Sequence, residues 1–398
     1  MEMKDKRSKN QDDNLSEEEL RRKALELYDQ NWKVSEICSS LHCSRSWFYK
    51  WLNRYKTGDE KWFHSEQRSP KTIHRSIDTK MEQLIIETRK QLVASRLYQY
   101  GPQAIYYALE QQGYSPSPPV WSIARVLNRN QLVRKKRKAP YVAKGKKYPY
   151  EYTLCHQMDY VGPRYLSCKA RYYFLNLIDS DTHWSQTSIS ENQTSAFACK
   201  KLIRFWKIVG IPDFLQMDND PAFWGSIKVP NAVGKVIRLC LSLKVTPVFI
   251  PQGEPWRNGV IEHFNNTMQN ALLQTEYANL DELRNAAAHY DDVHNNNHHY
   301  STQNGMTPYK AYKYYQYPLR PLDQSFAMPT EKIPLESGEI HFIRFVRSNL
   351  KFNVFGLSFP MPEKAKYEYI KGVVLVEEHR LLIYKDTEYL TEFPFSLM

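Results

Sequence analysis

Three carboxylates stand in settings that could do chemistry together: Asp159 in HQMDYVG, Asp218 in FLQMDNDPAF and Glu262 in PWRNGVIEHFNNTMQ. Displacement at a phosphodiester needs an activated hydroxyl and relief of charge on the leaving oxygen. Two divalent ions about 3.5–4 Å apart supply both. Mg²⁺ takes hard oxygen ligands and keeps several waters, so a few carboxylates suffice without a His or Cys cage. A single Asp at a strand end is more often a cap or turn residue, so the reading rests on the three together.

The elements that must position them can be read from pattern. Alternation along a strand that includes Tyr152 to Met158 puts Asp159 on the face opposite Met158 and Tyr160. The short apolar run 213–217 turns polar at Asn219-Asp220-Pro221, which predicts Asp218 at a strand's C-terminal end, where α/β sheets gather ligands. Beyond the breaker-rich 251–255, Ile261, Phe264, Met268 and Leu272 recur at helical spacing. Asn258, Glu262, Asn265 and Gln269 then share another face, expected to point away from the core.

These residues and their contexts QMD, MDND and NGVIEHFN resemble the catalytic core of DDE transposases of bacterial insertion sequences and of retroviral integrases, over roughly residues 150 to 315. The resemblance implies an RNase H-like fold and two Mg²⁺ or Mn²⁺ ions held by Asp159, Asp218 and Glu262. It also implies strand cleavage and transfer with no covalent enzyme intermediate. His298-His299-Tyr300-Ser301 and Gly305-Met306-Thr307-Pro308 look like the segment that closes such cores. One spacing departs from the pattern. Thirty-five residues separate the second acid from the third in related families; here that count ends at Glu254, and Glu262 follows forty-three. Glu254 lies between Gly253 and Pro255, where helix is disfavoured, so Glu262 is the expected third acid and Glu254 the alternative. The extra eight residues fit a loop within 225–234.

The formal charge of +12 is uneven: residues 1–150 hold 30 Lys and Arg against 17 Asp and Glu, and the remainder 25 against 26. Phosphate contact is the main source of non-specific DNA affinity, and a solubilising role would not require such concentration. Within this basic third, Leu20, Ala24, Leu27 and Tyr28 mark one helix and Val34, Ile37 and Leu41 a second. Ser44 caps a third helix carrying Trp47, Phe48, Trp51, Leu52 and Tyr55. The turn at His42-Cys43 fits a helix-turn-helix, with Ser44, Arg45, Ser46, Lys50 and Arg54 as DNA contacts and the aromatics as core. Ile85, Leu92, Ile105, Leu109, Ile123, Val126 and Leu127 outline a second helical DNA-binding unit. Arg134, Lys135, Lys136, Arg137 and Lys138 come next, read equally as a solvated tether and as phosphate contacts. After residue 320, strand-like runs at 341–346, 352–359, 367–376 and 381–384 suggest a small antiparallel barrel, similar to the SH3-like tail domain of these transposases.

The expected organisation is therefore multidomain α/β. It comprises a helix-turn-helix domain (1–60), a second helical domain (61–133), a basic linker (134–149), an RNase H-like core (150–318) and a small β-barrel (319–398). Six cysteines without a CxxC pair fit reduced thiols, and no apolar run of about 18 residues occurs. The expected setting is the bacterial cytoplasm, on the nucleoid when bound, with no membrane partner. Expected partners are double-stranded DNA, as element ends and as target, and a homo-oligomer on that DNA; a partner ATPase is an optional further one. A non-catalytic DNA-binding regulator or transposition subunit with an RNase H-like scaffold is the alternative function. A nuclease acting on RNA–DNA hybrids is a third.

Overall fold

The computed structural model describes residues 15–65, 77–133, 148–225, 231–315 and 318–398. Arg134 to Lys138, the expected linker and phosphate contacts, lie outside the described residues. Contacts divide the chain into two units, residues 1–76 and 77–398.

The described residues of the first unit form three helices, α1 (Glu17–Asp29), α2 (Val34–Ser40) and α3 (Arg45–Lys56). Ser16 starts α1 with a capping box: its hydroxyl accepts from the Glu19 N–H at 3.3 Å while Glu19 accepts from the Ser16 N–H at 2.8 Å. Ser44 caps α3, accepting from the Trp47 N–H at 3.1 Å. Ala24, Leu25, Ile37, Leu41, Phe48, Trp51 and Leu52 form its core. Phe48 and Trp51 are thus packing groups, as their helical spacing predicts.

The second unit opens with α4 (Thr79–Ser95), α5 (Pro102–Gln111) and α6 (Val120–Arg129), packed around Ile85, Ile105, Leu109, Ile123, Val126 and Leu127. This bundle is docked on the segment around His298 and His299. The His299 ring stacks on Tyr107 at 3.6 Å, the His299 backbone N–H donates to Gln99 Oε1 at 2.9 Å, and His298 Nε2 meets the Leu97 carbonyl at 2.7 Å. The His298-His299 pair therefore joins the helical bundle to the core.

Five strands make the centre of the sheet: β1 (Cys155–Tyr165), β2 (Arg171–Asp179), β3 (Ser185–Ser190), β4 (Phe214–Met217) and β5 (Thr246–Phe249). β1, β2 and β3 form an antiparallel meander, and β4 then β5 add in parallel on the other side of β1. The parallel strands require crossovers, supplied by α7 (Ser195–Val209) before β4 and by α8 (Pro221–Trp224) and α9 (Lys235–Ser242) before β5. One sheet face packs on α7, α8 and α9 through Met158, Leu175, Trp206, Leu215, Phe223 and Ile237. The other packs Phe174, Ile178 and Ile189 on α10 (Gly259–Leu272) and α11 (Leu280–Asn297), and α12 (Pro308–Tyr314) comes after them. The result is a mixed α/β sheet between two helical layers.

The C-terminal region differs from the expected separate barrel. Its strands β6 (Glu339–Val346), β7 (Lys351–Val354), β8 (Leu357–Pro360), β9 (Glu368–Leu375), β10 (Arg380–Lys385) and β11 (Glu388–Pro394) do form where alternation predicts strands. However, β6 pairs in parallel with β5, Val248 opposite His341 and Phe249 opposite Phe342, giving one nine-stranded sheet in the order β11-β10-β9-β6-β5-β4-β1-β2-β3. Only β7 and β8 stand apart, as a hairpin. The physical reason is the open edge of β5, an unpaired row of N–H and C=O groups that β6 satisfies. Ile340, Phe342, Val346, Ile370, Val374, Leu381 and Ile383 consequently share one hydrophobic core with α7 and α9.

Candidate active site

Register brings the first two acids together. Met158 on β1 is the partner of Met217 on β4, and Asp159 and Asp218 are each the next residue along these parallel neighbours. Met158 and Tyr160 enter the core under α7, so Asp159 projects from the opposite face, toward α10. There Asn265 Nδ2 donates to Asp159 Oδ2 at 2.6 Å while its Oδ1 accepts from Asn176 Nδ2 at 2.7 Å, a side-chain relay across β2, α10 and β1. Asp218 Oδ1 accepts from the Asp220 N–H at 3.0 Å.

The third acid is aimed by the start of α10. Gln157 Oε1, two residues before Asp159, accepts from the Ile261 N–H at 2.9 Å. Gln216, two before Asp218, donates through Nε2 to the Arg257 carbonyl and to Asn258 Oδ1, both at 3.1 Å. Both strands bearing aspartates thus also hold the helix bearing Glu262. Asn258 and Asn265 are 3 % and 6 % exposed, so the polar face of this helix, expected to point away from the apolar core, is itself buried. It faces the aspartates, where hydrogen bonds to strand side chains replace water.

Electrostatics connects the three acids. Burial pushes the Asp159 carboxyl up to about 7, the charges of Asp218 and Glu262 add to the rise, and the Asn265 hydrogen bond opposes it. Burial likewise raises Asp218 to about 6. Glu254 is placed differently. Its Oε2 meets Arg257 Nε at 2.9 Å and accepts from the Tyr369 hydroxyl at 2.8 Å, so its charge is already partnered.

Among the described residues, no three His, Cys, Asp or Glu side chains are drawn into a ready coordination cage. The donor set nonetheless fits a divalent cation, because positive charge would relieve the hard carboxylate oxygens of Asp218 and Glu262 that, with burial, raise the proton affinity of Asp159.

Burial of Asp159 also bears on stability. Its carboxyl is near 3.8 in an unfolded chain and about 7 in the fold. The folded chain therefore holds the extra proton between these values, and its stability declines as pH rises from 4 to 7. Asp159→Asn keeps an acceptor for Asn265 and removes the buried charge. At pH 8 it should raise the metal-free unfolding free energy by roughly 2–4 kcal/mol, with no gain at pH 4. Thermal unfolding at both pH values checks this; equal melting of variant and wild type at pH 8 would contradict the crowded placement.

The loop expected within 225–234 has a defined neck. The Gly234 N–H donates to the Trp224 carbonyl at 2.8 Å, and a Cβ on Gly225, whose φ is +123°, would meet Gly234 N at 2.7 Å. Residues 226–230 lie outside the described residues. In the first unit, Ser44, Arg45, Ser46 and Lys50 are exposed. Arg54 is half-buried, lying over the Trp51 ring at 4.9 Å and donating to the His64 carbonyl at 3.2 Å, so part of its role is packing.

Sequence reasoning singled out neither Gln157, Gln216 and Arg344 nor the contacts of Asn265. Arg344 left a signal: it shares strand parity with Ile340, Phe342 and Val346 in IHFIRFV, a charge on a buried face.

Residues 16–63 match the homeodomain-like domain family, and residues 243–308, which include Glu262, match the integrase core domain family. No curated protein matches the chain. Among solved structures, the HTLV-2 integrase catalytic core domain in complex with magnesium is 20 % identical, covering 40 % of this chain and 94 % of that one, with a TM-score of 0.31. The catalytic core domain of BIV integrase is 16 % identical, covering 42 % and 97 %, with a TM-score of 0.32. An intasome of simian T-cell lymphotropic virus is 16 % identical, covering 75 % and 97 %, with a TM-score of 0.36. The two family matches show a homeodomain-like N-terminal domain and an integrase core domain in one chain, consistent with a DDE transposase or integrase.

Proposed function

We propose that the chain is a DNA transposase of a bacterial insertion sequence, with Asp159, Asp218 and Glu262 as catalytic, metal-holding acids. The observation that carries the proposal is that acids far apart in sequence converge: β1 and β4 register brings Asp159 next to Asp218, and the charges of Asp218 and of Glu262 on α10 bear on Asp159. Two Mg²⁺ or Mn²⁺ ions bound there would activate a hydroxyl nucleophile and neutralise the leaving oxygen. Asn265 would hold Asp159 in its rotamer from one side, and Gln157 and Gln216 would keep α10 over the strands. Raised proton affinity at Asp159 means that protons compete with cations there, so metal affinity should fall as pH drops below about 7.

The homeodomain-like unit would bind the element's ends, with Ser44, Arg45, Ser46 and Lys50 presented on α3. Arg54, Arg134, Lys135, Lys136, Arg137 and Lys138 would add phosphate contacts. Lys50→Ala should weaken end binding in the full chain and reduce the slope of log K against log salt by roughly 1. An unchanged slope would remove Lys50 from the interface. Joining two ends requires a multimer on DNA. No described helix is long and apolar enough to cross a membrane, and no feature supports a partner ATPase.

Nicking of duplex DNA and of an RNA–DNA hybrid in Mg²⁺, by wild type and by Asp159→Asn, tests the function. Wild-type nicking of the duplex, lost in the variant, is the expected result. No nicking would favour the regulator, and preference for the hybrid would favour the nuclease.

A further inference from the structure

Arg344 on β6 is 8 % exposed and, among the described contacts, bonds to no carboxylate. Its Nη1 donates to the carbonyls of Ile250 at 3.0 Å and Ile343 at 2.8 Å, its Nε to that of Asn353 at 3.1 Å, and its Nη2 to Asn219 Oδ1 at 2.8 Å. Asn219 Nδ2 returns to the Ile250 carbonyl at 2.8 Å. A buried guanidinium without an acid is costly, and an apolar side chain of similar volume would often pack as well or better. Stability alone therefore explains this arginine poorly. What it fixes is the residue directly after Asp218 against the end of β5.

A second link runs from β9. The Tyr369 hydroxyl donates to Glu254 Oε2 at 2.8 Å and accepts from Arg257 Nη2 at 2.6 Å. The Arg257 guanidinium also lies over the rings of Tyr148 and Tyr369, at 4.5 and 4.8 Å. The Arg257 carbonyl and the next side chain, Asn258, receive Gln216 of β4, and α10 begins at Gly259. The turn that launches the Glu262 helix is thus held from the C-terminal extension on one side and from the Asp218 strand on the other.

We propose that the C-terminal extension completes the active site in cis, with Arg344, through Asn219, and Tyr369, through Glu254 and Arg257, as positioning residues for Asp218 and Glu262. The proposal rests on the phosphoryl-transfer reading of these acids. It assigns the extension a task that a separate barrel on a tether could not perform, since hydrogen-bonded supports of metal-holding side chains must be rigidly joined to them. It also gives Glu254 a role distinct from metal binding.

The test uses the full chain and Mn²⁺ alone as probe, with binding followed by titration calorimetry and DNA nicking followed across Mn²⁺ concentrations. Tyr369→Phe keeps the ring and removes both hydrogen bonds; Asn219→Ala removes the link while leaving Arg344 its bonds to the carbonyls of Ile250, Ile343 and Asn353. Each should weaken Mn²⁺ binding about 10-fold, with nicking recovering toward wild type at high Mn²⁺. Ile383→Val, in the buried part of β10 away from these links, separates positioning from stability: it should lower the melting temperature and leave Mn²⁺ affinity unchanged. Wild-type Mn²⁺ affinity in Tyr369→Phe and Asn219→Ala, while Asp159→Asn abolishes binding, would overturn the positioning role alone. Equal loss of affinity in Ile383→Val would also overturn it, by showing a general effect of destabilisation. Undiminished Mn²⁺ binding and nicking in Asp159→Asn would instead sink the phosphoryl-transfer reading, and this inference with it.

Discussion

Glu262→Gln should reduce metal-dependent DNA cleavage on the order of 10³-fold, the equivalent of several kcal/mol of barrier, while Glu254→Gln stays within about 10-fold of wild type. The two substitutions are chemically identical and lie eight residues apart, so their difference isolates position. Glu262 contributes to the charge that raises Asp159, whereas Glu254 is engaged by Arg257 and Tyr369. A Gln at 254 keeps an acceptor for both partners; a Gln at 262 removes one of the three negative charges that would offset a cation. Both variants should bind end DNA normally, because the homeodomain-like unit is untouched. Single-turnover cleavage rates measure the contrast. A dead Glu254→Gln beside an active Glu262→Gln would show that the thirty-five-residue count identifies the third acid and that the helical context misleads.

Truncation after residue 320 should yield a chain without a cooperative unfolding transition. The cut removes β6, reopening the edge of β5, and takes away Ile340, Phe342, Val346, Ile370, Val374, Leu381 and Ile383 from the core they share with α7 and α9. Burying side chains of this size contributes about 1.5–3 kcal/mol each. Seven of them together match or exceed the 5–15 kcal/mol by which a typical protein is stable. Dye binding to exposed apolar surface and the loss of a thermal transition would report the result. A soluble, cooperatively melting 1–320 chain would show that the extension is an independent module after all. The consequence for assembly is direct: subunits sharing functions in trans should be sought by mixing intact chains carrying point substitutions.

Much of the candidate site was legible because local rules set it. Period-two alternation places Asp159 opposite Met158 and Tyr160, and the polar turn after Met217 ends β4 before Asp218. Helical spacing separates the buried Ile261, Phe264, Met268 and Leu272 from the face carrying Glu262. The Ser44 cap and the aromatic core of α3 arise from the same kind of rule. What failed depended on partners distant in sequence. The strand-like runs after residue 320 identify strands but not their neighbours, and pairing of β6 with β5 joins residues more than 90 apart. The polar stripe of α10 was legible, but not the bonds that Asn258 makes to Gln216 and Asn265 to Asn176 and Asp159, which join α10 to strands distant in sequence. His298 and His299 were placed at the end of the core, but their contacts with Leu97, Gln99 and Tyr107 bridge about 200 residues. Only the full fold reveals that the extension, the helical bundle and the acids form one unit.

The most direct measurement is strand transfer itself. A duplex carrying the terminal repeats that flank the coding sequence is incubated with the chain, target plasmid and Mg²⁺, and the products are sequenced across each junction. The expected result is 3′ ends cut at the repeat boundary and joined to target DNA. These products should vanish with chelator and with Asp159→Asn, Asp218→Asn or Glu262→Gln. Specific binding of the repeats with no cleavage or joining in Mg²⁺ or Mn²⁺, or the same products from wild type and the three variants, would contradict the account.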